Sequence, residues 1–210
     1  MAVYTIYNDT GEEYIAGFKF LDGDMNKVLP VGFEFHPVTG GARLADGTRV
    51  KKNEFYQGVR IDPTHLPTKV LWRGGKRQLT DLQRAHDIFL VGDALRRVIE
   101  ELEPDVHQFA PVELVWEDGS HAASYFWFYP SVRVDGMDRD HTTNELSEKT
   151  GLWIHKQGGK FAVNLEQVAG HHIWNYPRTH FGSVFVSEMF KQAMANAGVR
   201  GIGYHEFLTV

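Results

Sequence analysis

The stretch "VFVSEMFKQAMANAGVRGIGYHEF" (residues 184–207) puts a serine between an apolar run and a helix-like segment. A hydrolase elbow needs glycines around its serine, because the turn is strained and the backbone approaches closely. Ser187 has Val186 and Glu188 as neighbours, and no G-x-S-x-G pattern occurs. Serine is instead a preferred helix N-cap, and an acidic residue next to it suits the positive end of the helix dipole. Phe190, Ala193, Met194 and Ala197 fall on one helix face, and Gly198 stands where a stop glycine belongs. The reading is a cap, not a nucleophile.

The chain has 11 histidines, and histidine is the commonest metal ligand, but ligands must converge. Neither H-E-x-x-H nor H-x-H is present. His171 and His172 are adjacent on a predicted strand, so they point to opposite faces. His65, His86, His107, His155 and His180 are scattered. Asp22, Asp24 and Asn26 alternate as in a calcium loop, yet Lys27 holds the sixth position and Phe33 the twelfth, where glycine and glutamate are required. The pairs Gly40–Gly41, Gly74–Gly75 and Gly158–Gly159 do not open into helices, so they read as turns rather than phosphate cradles. Asp135, Asp138, Asp140, Glu145 and Glu148 crowd the segment "VDGMDRDHTTNELSEK". Paired acids could serve acid–base work only in a cleft that separates their environments. A solvated loop or a surface for a basic partner fits them as well.

These residues sit on 210 positions with 42% apolar and 23% charged residues, which is ordinary for one globular unit. Phe 14, Tyr 8 and Trp 5 favour strands. With no cysteine, thiol catalysis, cysteine-bound zinc and disulfides are excluded. A net charge of −5 argues against a nucleic-acid partner. No secretory signal opens the chain and no run could span a bilayer, so a cytoplasmic protein without membrane contact is expected.

Turn signals such as "LDGDMNK" and "WRGGKRQ" divide residues 1–80 into short strands and loops. Leu95, Val98, Ile99 and Leu102 then give a helix over about 93–103, with Asp93 as N-cap and Pro104 as stop. "PVELVWED" and "ASYFWFYP" flank "DGSH" as a hairpin, and "LWIHK" and "KFAVNL" flank "QGG" as a second. "HHIWNYP" reads as a strand. The second clear helix covers about 188–197. The expected fold is therefore α+β: one strand-rich domain whose two helices pack on an antiparallel or mixed sheet. Residues 1–80 form a variable β-rich region and 81–210 a core region.

The order of "DIFLVGDALRRVIEELEPDVHQFAPVEL", "YFWFYPSVRVDGMD", "GHHIW" and the 184–207 segment resembles the immunity protein 11 family of bacterial polymorphic-toxin systems. The resemblance spans about residues 85–207. It departs at "RDHTTNE", where the family usually has a serine, and at Trp174 and Asn175, where it usually has phenylalanine and arginine. What it implies is a cytoplasmic antitoxin that binds a cognate toxin domain, with no catalytic centre, metal or cofactor. Contacts are then expected from the loop 133–150, through Asp135, Asp138, Asp140 and Glu145, and from exposed aromatics such as Trp127, Trp153, Trp174 and Tyr176. Core packing is at least as good a reading for Trp116 and Trp127. Two rival functions stay open. One is an enzyme that reverses a toxin's modification or hydrolyses a small substrate, using His171, His172, Glu188 or Asp138. The other is a secretion-system adaptor that binds an effector without inhibiting it.

Overall fold

The runs "IFLV" and "VFVS" lack the alternation of a one-sided strand, and in the computed structural model every residue of both is buried. Apolar side chains on both pleats are needed when both faces of a sheet are covered. The structure describes residues 1–9, 17–35, 42–43, 49–50, 58–85, 88–149, 151–178 and 184–210. His86, His180, Thr150 and Gly40–Gly41 lie outside them.

Strands β1 (Val3–Asn8), β2 (Phe18–Phe20), β3 (Glu34–Phe35), β4 (Ala42–Arg43), β5 (Arg49–Val50), β6 (Lys69–Trp72), β7 (Leu82–Ala85) and β8 (Ile88–Val91) precede helix α1 (Asp93–Leu102). Then come β9 (Gln108–Val115), β10 (His121–Tyr129), β11 (Glu145–Leu146), β12 (Trp153–Ile154), β13 (Ala162–Val163), β14 (Ile173–Asn175), β15 (Val184–Ser187), α2 (Glu188–Asn196) and β16 (Ile202–Thr209). A six-stranded sheet runs β2-β6-β9-β10-β8-β7, and a five-stranded sheet runs β13-β16-β1-β15-β14. Among the described residues their pairings are antiparallel except β6–β9 and β13–β16.

Three apolar cores follow from these sheets. One is built on the six-stranded sheet around Leu114, Trp127 and Tyr129. The second joins both sheets to both helices through Ile6, Phe89, Ile99, Val186 and Phe190. The third covers the other face of the five-stranded sheet, with Val3, Trp153, Trp174 and Phe185. Alternating residues of β15 thus enter different cores, which explains its unbroken apolar sequence.

The α+β expectation is corrected to a mostly β fold with two helices. α1 has 10 residues and α2 has 9, while β9, β10 and β16 alone have 8, 9 and 8. The sheets curl into half-barrels, and the helices contribute to just one of the three cores. Strand pairing, not helix packing, sets the class.

Local signals explain most elements. In α1, Leu95, Val98 and Ile99 are buried as their spacing predicts. Its N-cap is Gly92, without a side-chain bond, which corrects Asp93. Asp93 lies one residue inside, where it pairs with Arg96 and Arg97 and still complements the dipole. β9 and β10 form the expected hairpin, its turn fixed by Ser120 donating to Asp118 and by Gly119 at φ +79°.

The second expected hairpin does not form. β12 pairs with β11, Leu146 opposite Trp153, while β13 pairs in parallel with β16, Ala162 opposite Leu208. The "QGG" turn therefore leads from one sheet to another. Gly159 is required there for space: a Cβ would lie 2.1 Å from the Asn144 side-chain oxygen.

Candidate functional site

Ser187 ends β15 and its oxygen accepts the Phe190 N–H at 3.2 Å, so it caps α2. Gly198 closes that helix region at φ +66°. His172 Nδ1 also lies 3.0 Å from the Ser187 oxygen. This pair does not make a nucleophile, because the oxygen is committed to the cap and Ser187 is 4% exposed. The Glu103 carboxylate accepts from the His172 backbone N–H at 2.7 Å rather than from its ring. Ser187→Ala should cost about 1 kcal/mol of stability, read from denaturant melts.

The acidic loop is largely committed to its own structure. Asp135 accepts from the Tyr176 hydroxyl at 3.0 Å, Arg178 Nε at 2.6 Å and an Arg139 guanidinium nitrogen at 2.9 Å. Trp153 Nε1 in turn donates to the Tyr176 oxygen at 2.5 Å, and Arg139 lies over the Trp153 ring at 5.7 Å. Burial, with the Asp135 charge assisting, pushes the Tyr176 hydroxyl well above its usual range, so it stays a donor. Asp138 accepts from His141 Nδ1 at 2.8 Å, from Asn164 at 3.1 Å, and from the backbone N–H groups of Asp140 and His141. The His141 bonds, ring first, lead these donors in lowering its pKa to about 2. Glu145 pairs with Lys156 at 3.0 Å across an exposed surface. Asp140 is exposed, and its carboxylate carries no bond to a described residue.

Three of the seven sequence-derived candidates, Asp135, Trp153 and Tyr176, thus converge in one network, while Trp174 stacks on Phe185 beneath it. The expectation of exposed aromatics is corrected. Trp153 is 4% exposed, Trp174 1% and Tyr176 6%, and Trp127 is fully covered. Each ring removes a large area from water in a core where strands from distant parts of the chain meet.

Next to this network an open cleft of about 520 Å³ is lined by Met137, His155, Lys160, Phe161, His205 and Phe207, among others. Its floor is apolar and aromatic, with edge contacts from His155 to Phe161 and from His205 to Phe207.

Sequence reasoning missed Glu103 and His107. Glu103 caps the end of α1, and its carboxylate meets His107 Nε2 at 2.5 Å. The Ser131 N–H donates to His107 Nδ1 at 3.1 Å, which places the ring proton on Nε2, toward Glu103. Burial works to raise the Glu103 pKa, but bonds from His107 and from the His172 and Ile173 N–H groups hold it below its ordinary value. The available signal was the i,i+4 spacing of Glu103 and His107 across the helix stop.

Among the described residues no group of three or more His, Asp or Glu side chains is placed to hold a metal ion. No helix among them is long and apolar enough to cross a membrane. No curated protein matches the chain. Residues 64–209 match the model of the Immunity protein family (Imm11), well over half the chain, and the chain therefore belongs to that family.

Proposed function

We propose that this chain is an antitoxin that neutralises a cognate bacterial toxin effector by stoichiometric complex formation, acting in the cytoplasm without turnover or cofactor. The family match over residues 64–209 carries the reading. The chemistry at Ser187 supports it, since that serine is spent on a helix cap.

The loop 133–149 supplies the charged part of the recognition surface. Asp135 and Asp138 shape the loop, which leaves Asp140, Glu145 and Glu148 as the exposed carboxylates that can meet a basic partner. Complementary charge of this kind mainly steers association. Asp140→Lys combined with Glu145→Lys should slow association about tenfold at low salt, with little change in dissociation or stability. Surface plasmon resonance at two salt concentrations checks this. The proposal itself is tested by co-expression with the toxin domain encoded beside this chain's gene. Restored growth is expected, and unabated killing by a toxin domain in the presence of abundant folded chain contradicts it.

A further inference from the structure

Among the described residues, β16 is paired along most of one edge but only at the end of the other. β1 covers the edge from Ile202 to Phe207, while on the other side β13 reaches only Leu208 and Thr209. The direction of the uncovered groups can be fixed. The Asp9 N–H donates to Gly201 O, so odd-numbered residues of β16 face β1. The Val210 N–H donates to Val163 O, so even-numbered residues face the β13 side. The backbone N–H and C=O groups of Tyr204 and Glu206 therefore point to the β13 side, beyond that strand's reach, and none has a hydrogen-bond partner among the described residues. Such a row is a template for another strand.

The chain that could have covered this row is held away from it. The Lys160 N–H donates to Thr143 Oγ1 at 2.8 Å, and Lys160 O accepts the Thr143 N–H at 3.0 Å. The Lys156 N–H is held by Asn144 Oδ1 at 3.0 Å. The acidic loop thus pulls residues 156–160 off β16, and β13 joins only after the gap. The cleft lies beside that gap and over the adjoining sheet face, with Lys160 and Phe161 on one wall and His205, Phe207, Thr5 and Phe185 beneath.

We propose that this edge takes an extended segment of the partner toxin as an added strand, with a carboxylate side chain of that segment seated in the cleft. The inference rests on the antitoxin reading and names where the partner binds. Charge selects the occupant. Lys160 carries no ion pair to a described residue, and His155 and His205 lie beside it. Glu206 also borders the cleft, but the strand's alternation sends its side chain with that of Tyr204 to the opposite face, beside Tyr4. A second copy of β16 pairing edge to edge would instead bring histidine toward histidine here. A toxin strand gains main-chain hydrogen bonds for affinity and places alternate side chains over the apolar floor for specificity.

Glu206→Pro tests this, because it removes an outward N–H while leaving the β1 ladder intact. Glu206→Ala keeps the N–H and serves as its control. Both are titrated calorimetrically against the toxin domain encoded beside the gene, after circular dichroism confirms the fold. The proline variant should bind at least about tenfold more weakly and the alanine variant close to parent. In the parent, the Tyr204 and Glu206 amides should exchange rapidly with deuterium when free and slowly in the complex. That exchange readout needs no substitution and decides the matter if the proline variant misfolds. Tight parent binding with both amides still unprotected overturns the edge proposal and leaves the antitoxin reading standing. Amide protection that grows with chain concentration alone identifies a second copy as the occupant and also overturns it. A parent chain that does not bind the toxin domain overturns both.

Discussion

Glu103→Ala is expected to lower the folding free energy at neutral pH by about 3 kcal/mol or more, given the usual cost of losing several buried bonds to a charged group. The carboxylate ties the end of α1 to β9 through His107 and to the start of β14 through the His172 N–H. Alanine strands those donors in a region from which water is excluded, since the His107 side chain is fully covered. Glu103→Gln should cost less, because an amide oxygen can still accept one of the bonds. Acid should reveal the same contact. The folded carboxylate has a lowered pKa, so the unfolded chain binds this proton more tightly. The stabilisation is fully present above the ordinary glutamate range and is lost as pH falls through the folded value. Urea melts between about pH 7 and pH 3 should show a steeper acid decline for the parent than for Glu103→Gln. Parallel declines would mean that the carboxylate is not held as described.

The second large effect concerns the aromatics. Trp174→Ala should destabilise the chain by about 3–5 kcal/mol, the range for deleting a buried large ring. Trp174 is 1% exposed, stacks on Phe185 with centroids 5.9 Å apart, and sits in the core that also holds Trp153 and Tyr176. Once the folded fraction is accounted for, its affinity for the toxin domain should match that of the parent. Trp153→Phe should keep most of its packing and lose about 1 kcal/mol with the bond to Tyr176. A Trp174→Ala variant that melts like the parent yet binds more than about tenfold more weakly would instead place that ring against the partner.

What was legible in the sequence was local. α2 could be read because Ser187, Glu188, the apolar spacing and Gly198 each act within a turn of their own position. The β9–β10 hairpin was legible for the same reason, through "DGSH". The "QGG" segment carries an equally good turn signal and misleads, because β12 and β13 are claimed by different sheets. One of those pairings is a parallel contact with residues more than forty positions away, and no spacing rule announces it. The fold class differs on the same ground: two helices are marked locally, whereas the six- and five-stranded sheets are assembled from pairings between strands far apart in the chain.

The site divides in the same way. Acid spacing in 135–148 identified a loop, but composition does not say which carboxylates the loop consumes. Asp135 is occupied by Arg178 and Tyr176, some forty residues downstream, whereas Asp140 faces water. Trp153, Trp174 and Tyr176 were legible as large contact areas and not as buried ones, since residue type gives the size of a side chain and not the direction it faces. The uncovered edge of β16 had no sequence signature, because it arises where residues 156–160 are held aside by Thr143 and Asn144.

The most direct test is a titration of the toxin domain's activity with the purified chain, at a toxin concentration far above the dissociation constant. A linear fall to zero that breaks at one equivalent is expected, with a one-to-one complex by light scattering. Activity that persists in large excess of the chain, or that vanishes at a small fraction of an equivalent, would show that inhibition does not come from occupying one partner with one antitoxin.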